Sequence, residues 1–202
     1  MGGGAGERPR HAAPAAGVGR VPQRKTVDEY VQIGKGEGAK VLARPFVPTR
    51  DRVLFVTANL NAGGAQRSLV NLALALNGAL EFEIAVTGNS TSSAFAQQLA
   101  CAGIRHFRSG DGNDSLDHAE ALIDHIAATA PSCVCFWNVD AKIKLLLVKW
   151  LAHAVLKFID VSPGEYLFEE MTATRAFQEC IAYTEAEYYP RLDRLVQNYP
   201  AP

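Results

Sequence analysis

The chain has 202 residues, 48% of them hydrophobic and 20% charged, with a formal net charge of −1. That suffices for one domain with a substantial core. Residues 1–50 carry nine Lys/Arg against four Asp/Glu and the rest eleven against seventeen, but Arg8, Arg10, Arg20 and Arg24 lie scattered among Gly, Ala and Pro, which argues against nucleic acid as a partner.

The first 25 residues, MGGGAGERPRHAAPAAGVGRVPQRK, lack the apolar core of a signal peptide. They show no periodic apolar pattern either, so burial cannot offset the entropy of ordering them. A short helix is expected around Val27 to Ile33, then a Gly-punctuated, Pro-flanked linker. Residues 1–50 thus read as a disordered basic leader and linker, and residues 51–202 as one folded domain.

Within that domain strands and helices alternate. Val53 to Thr57 is a short, continuously apolar run, as a strand buried on both faces should be. After the loop Asn59 to Gly64, apolar residues at 69, 72, 73 and 76 mark a helix from Ala65 to Leu76, stopped by Asn77-Gly78. Glu81 to Thr87 is a second strand, a helix follows over Ser93–Ala102 with Gly103 behind it, and Ile104–Phe107 is a brief third strand. Asp114 or Ser115 is placed to cap a helix that Pro131 ends. Ser132 to Trp137 is a fourth strand, Lys142–Ala152 a helix, and Val155 to Val161 a fifth strand. Pro163-Gly164 breaks the chain before another helix. Ile181 to Thr184 reads as a sixth strand, and Thr184-x-x-Glu187 as a capping box for a helix to Leu192. A last short strand begins near Leu195. Such alternation means crossover units on a parallel sheet: an α/β, Rossmann-like domain of about six to seven strands with helices on both faces.

The longest greasy run, Ile143 to Ile159, is broken by Lys144, Lys149, His153 and Lys157. No transmembrane segment is therefore expected, a cytoplasmic location is, and peripheral membrane contact stays open. Cys101, Cys133, Cys135 and Cys180 form no CxxC pair and read as buried free thiols rather than metal ligands. No metal site is expected.

The richest segment is Gly63-Gly64-Ala65-Gln66-Arg67 between the first strand and its helix. Paired glycines let the backbone approach a ligand, and the helix start behind them offers unpaired N–H groups suited to phosphate. A tight turn that binds nothing needs the same glycines. The segment is not Gly-x-Gly-x-x-Gly, and Thr87 stands where a ribose-binding acid would close the second strand, which counts against a nicotinamide or flavin enzyme. Gly-Lys-Ser/Thr is absent as well. Trp137, Asn138 and Asp140 follow the fourth strand, where open α/β sheets bind ligands. Ser162 and Glu165 flank the Pro163-Gly164 break as further cleft candidates, with Glu169 and Glu170 on the helix beyond. His118 and His125, seven apart on one helix, are expected to face solvent.

The Val-Leu-Phe-Val strand, the loop ending Gly-Gly-Ala-Gln-Arg and the helix Leu-Val-Asn-Leu-Ala-x-Ala-Leu resemble the opening of GT-B glycosyltransferases of the large retaining class. The elements downstream are similar in order across about 150 residues: the Phe-Glu-Ile-Ala-Val strand, the helix ending before Pro131, the strand ending Phe136-Trp137. The resemblance implies glycosyl transfer from a nucleotide-sugar to a carbohydrate or lipid-linked acceptor, with the nucleotide-sugar as substrate and no cofactor. It places Gly63, Gly64, Ala65 and Arg67 against the donor diphosphate and sugar. Where the family often has a histidine, at the end of the fifth strand, this sequence has Asp160, a candidate catalytic residue that departs from the pattern. In such enzymes a second Rossmann domain binds the nucleotide; with the chain stopping at Tyr199-Pro-Ala-Pro202, that donor domain is expected to be absent and the 202 residues alone inactive. The rival expectations are a Rossmann domain for a phosphorylated or dinucleotide ligand, and a degenerate, non-catalytic binding module.

Overall fold

A continuously apolar first strand forces both faces of the sheet to be covered, and they are. The computed structural model describes Met1 and residues 52–88, 93–112, 114–152, 154–162 and 166–197. The expected leader, linker and helix near Val27 lie outside them.

The chain runs β1 (Arg52–Thr57), α1 (Gly64–Leu76), β2 (Glu81–Val86), α2 (Ala94–Cys101), β3 (His106–Arg108), α3 (Ser115–Thr129), β4 (Cys133–Trp137), α4 (Ala141–Trp150) and β5 (Lys157–Ser162). Three short helices follow, α5 (Tyr166–Ala173), α6 (Arg175–Cys180) and α7 (Glu185–Tyr188), then a 3-10 turn (Tyr189–Arg191) and β6 (Arg194–Gln197). The six strands lie in the order β3-β2-β1-β4-β5-β6, every neighbouring pair parallel.

Alternation along each strand divides the core. Leu54, Val56, Val134, Phe136 and Phe158 point to one face, where Leu122 and Ile126 of α3 and Leu145 and Val148 of α4 cover them. Phe55, Ile84, Val86 and Cys135 point to the other, under Leu69, Val70 and Ala73 of α1 and Ala96 and Leu99 of α2. Order reverses between β1 and β4, so α1 leaves for one face and α4 for the other, which opens a crevice beyond the paired carboxyl ends of the two strands.

Most expected boundaries hold to within a residue or two. Asp114 caps α3 by accepting from the Leu116 N–H at 3.1 Å, and Gly78 and Gly103 take left-handed conformations behind α1 and α2. The Glu187 carboxylate accepts from the Thr184 backbone N–H at 2.7 Å, the reach-back half of the capping box. Ile181 to Thr184, however, is no strand. The Ile181 N–H donates to the Phe177 carbonyl and the Tyr183 N–H to the Gln178 carbonyl, each at 3.0 Å, around a left-handed Ala182. These backbone groups serve the end of α6 and leave none for a ladder; the apolar residues here are buried anchors.

Two expectations about exposure are corrected too. Cys133 and Cys135 are buried in β4, but Cys101 and Cys180 are exposed at the ends of α2 and α6. His118 does not face solvent: it shares the inner stripe of α3 with Leu122 and Ile126 and engages the Ser109 carbonyl. His125 is half-buried and pairs with Glu83, which also meets Arg105 at 3.2 Å. No helix among the described residues is long and apolar enough to cross a membrane.

Candidate functional site

The crevice at the carboxyl ends of β1 and β4 is built from backbone. The Ala58 N–H donates to the Asn138 carbonyl at 3.2 Å, and the Asn138 N–H to the Val161 carbonyl at 3.3 Å, tying the ends of β1, β4 and β5 together. Asn138 sits at φ 55, a left-handed conformation that asparagine tolerates better than most residues. The β1–α1 loop is shaped by the Asn59 carboxamide, which accepts from the Asn61 N–H at 3.0 Å.

Gly63 precedes α1 in extended conformation, and no side chain caps the helix. Its first N–H groups therefore lack a capping partner, and the helix dipole presents partial positive charge there. A Cβ on Gly64 would meet nothing within 4 Å, whereas one on Gly63 would stand 2.5 Å from the Gln66 carboxamide oxygen. The first turn is held from below: the Trp137 indole N–H donates to the Ala65 carbonyl at 2.8 Å. Arg67 is exposed on that turn, with no ion-pair partner among the described residues.

Asp140 is exposed and caps α4, accepting from the Lys142 N–H at 2.7 Å; its other oxygen accepts from the Ser115 hydroxyl at 3.4 Å. Gly63, Gly64, Ala65, Trp137, Asn138 and Asp140 are thus brought to one edge of the sheet. Ser162 ends β5 there, its side chain outside the described ones, and Glu165 lies outside the described residues. Glu169 and Glu170 are exposed on α5.

Asp160 sits elsewhere than expected. It pairs in register with Phe136, inside the sheet, and is fully buried. Its carboxylate accepts from Lys144 Nζ at 2.9 and 3.2 Å and from the Tyr188 hydroxyl at 2.7 Å. Lys144 and Tyr188 are as deeply buried, so the carboxylate is turned into the core beneath α4 and α7 and does not face the crevice. Burial, with the Asp160 charge and hydrogen bond behind it, pushes the Tyr188 phenol well above its ordinary range. The expected strand-end catalytic group is an internal ion pair; the strand continues two residues further, to Ser162.

Two residues escaped the sequence reading. Gln66, buried beside Gly63, looks like an ordinary helix residue in sequence. Gly88 follows β2, and a Cβ there would stand 2.4 Å from the Ala58 carbonyl oxygen; its only sequence signal was a glycine at a strand end. Thr87 is buried, and its N–H donates to the Thr57 carbonyl at 2.9 Å, so the end of β2 offers no carboxylate to a ribose. Hollows of about 380 Å³, lined by Tyr189, Leu192 and Asp193 among others, and of about 120 Å³ beside Arg52 and Glu81, lie at the amino ends of strands. Open α/β sheets bind ligands at the opposite edge, where the β1–β4 crevice lies. Among the described residues no cluster of three or more His, Cys, Asp or Glu is placed to hold a metal ion.

No protein-family model matches this chain, and no curated protein matches it significantly.

Proposed function

We propose that this chain serves as the acceptor-side domain of a GT-B-type glycosyltransferase, receiving the diphosphate and sugar of a nucleotide-sugar at the β1–β4 crevice. One observation carries the reading: an uncapped helix N-terminus with open space over Gly64 stands at the point where a 3-2-1-4-5-6 parallel sheet reverses order. N–H groups fixed there would stabilise charge developing on a leaving diphosphate without reorganising. Trp137 and Asn138, at the carboxyl end of β4, are suited to an acceptor sugar, and a second Rossmann-type domain would hold the nucleotide. The burial of Asp160 favours a narrower variant in which this domain positions the reacting groups and supplies no catalytic side chain.

A dinucleotide-binding enzyme shares the sheet order but needs an acid at the end of β2, where Thr87 is buried and bonded. Parallel titrations with a nucleoside-diphosphate sugar and with NADH, read by amide chemical shifts, separate the two. The sugar nucleotide should move Gly64 and Ala65 saturably and NADH should not; the reverse pattern would favour the dinucleotide enzyme.

A further inference from the structure

Gln66 is the third residue of α1, the position from which a glutamine reaches back to the N–H of the capping residue in a capping box. That bond is not made, since α1 has no side-chain cap. The carboxamide lies over Gly63 instead, occupying the space a Cβ would take. Gln66 is 7% exposed, and its carboxamide has no hydrogen-bond partner among the described residues. Its polar atoms are not among those sealed from solvent without a partner, so they stay open to a bound group. Its oxygen stands beside Gly63, the residue from which α1 starts.

The two features recognise different chemistry. The helix N-terminus favours an anionic oxygen. A carboxamide is neutral, with two donor hydrogens and one acceptor oxygen, and so suits a hydroxyl, which both gives and takes a hydrogen bond. Gly63 makes the arrangement sterically feasible, because any side chain there would displace the carboxamide. We propose that Gln66 is the specificity-determining residue of the crevice, hydrogen-bonding a ring hydroxyl of a sugar phosphate whose phosphate rests on the first turn of α1. This deepens the nucleotide-sugar reading above and rests on it.

The test tracks the Gly64 and Ala65 amide signals while titrating inorganic phosphate and the 1-phosphates of glucose, galactose and mannose. Wild type is compared with Gln66→Met, which keeps length and packing, and with Gln66→Ala. At least one hexose 1-phosphate should bind wild type roughly tenfold more tightly than inorganic phosphate, the worth of about one net hydrogen bond. Both variants should bind that sugar phosphate no better than inorganic phosphate, with the melting temperature of Gln66→Met unchanged. A preference that survives in Gln66→Met, or that wild type lacks while inorganic phosphate still moves Gly64 and Ala65, overturns the role of Gln66 and leaves the crevice as an anion site. If no probe moves those signals, both readings fall.

Discussion

The indole N–H of Trp137 donates to the carbonyl of Ala65 at 2.8 Å, joining the last residue of β4 to the first turn of α1 across 72 positions of sequence. The bond fixes the helix end on which the proposed function depends. Trp137→Phe keeps most of the ring and loses the donor, so it should destabilise the domain by about 0.5–1.5 kcal/mol. Amide hydrogen exchange at Gly64, Ala65 and Gln66 should accelerate more than elsewhere. Uniform acceleration would mean that the bond contributes stability without positioning the helix.

Asp160, Lys144 and Tyr188 form a buried unit in which the carboxylate accepts from both partners. Asp160→Asn removes the carboxylate charge from beside a deeply buried ammonium, so it should cost about 3–5 kcal/mol. Adding Lys144→Met to that variant should recover most of the loss. Urea midpoints of the single and double variants decide it, and a harmless single substitution would show that the pair is not closed to water.

Alkaline pH should unfold the protein earlier than its carboxylates and lysines require. Burial pushes Cys133 up to about 11, with Asp193 adding and Lys157 opposing, and raises Cys135 still more. It pushes Tyr183 and Tyr189 up to about 12 and Tyr188 further. For a group raised in the folded state, stability is fully present below the unfolded pKa, because both states then hold the proton. It declines as pH rises and only the unfolded chain releases that proton. The unfolding free energy should thus be flat to pH about 8.5, fall as the unfolded thiols ionise, and fall more steeply above about 10 with the tyrosines. Urea midpoints at pH 8, 10 and 11 trace this, and equal stability at 8 and 11 would contradict the burial of these groups.

Gly64 and Gly88 should respond oppositely to alanine. At Gly88 a Cβ would stand 2.4 Å from the Ala58 backbone oxygen, while at Gly64 it would meet nothing. Gly88→Ala should therefore cost about 1–3 kcal/mol through displaced backbone. Gly64→Ala should be neutral or stabilising by up to about 1 kcal/mol, since glycine is the poorer helix former. Thermal melts of the two variants are a direct check on how the loops after β1 and β2 pack.

Much of this architecture is legible in the sequence because it rests on local signals. Apolar runs gave β1 and β4, and Asp114, Gly78 and Thr184-x-x-Glu187 marked helix ends by their own chemistry. Ile181 to Thr184 misled because a buried helix terminus presents the same apolar alternation as a strand. Asp160 misled for a different reason: its partners lie 16 and 28 residues away, and nothing local shows whether a strand carboxylate faces a crevice or a core. The same limit hid Gln66, whose environment depends on a glycine three residues earlier lacking a side chain.

The measurement that bears most directly on the function is the affinity of wild type and Gly64→Val for a nucleoside-diphosphate sugar, taken with melting temperatures. Gly64 does not adopt a left-handed conformation and its missing side chain would meet open space, so valine should leave the fold within about 0.5 kcal/mol of wild type. The valine methyls would fill the space above the α1 N-terminus that the diphosphate must enter. The predicted result is saturable binding by wild type, with amide shifts centred on Gly64 to Gln66, and binding at least about tenfold weaker, roughly 1.4 kcal/mol, in a variant that melts at the same temperature. Equal affinity in a folded Gly64→Val would contradict the account and leave the Gly63-Gly64 loop as a turn.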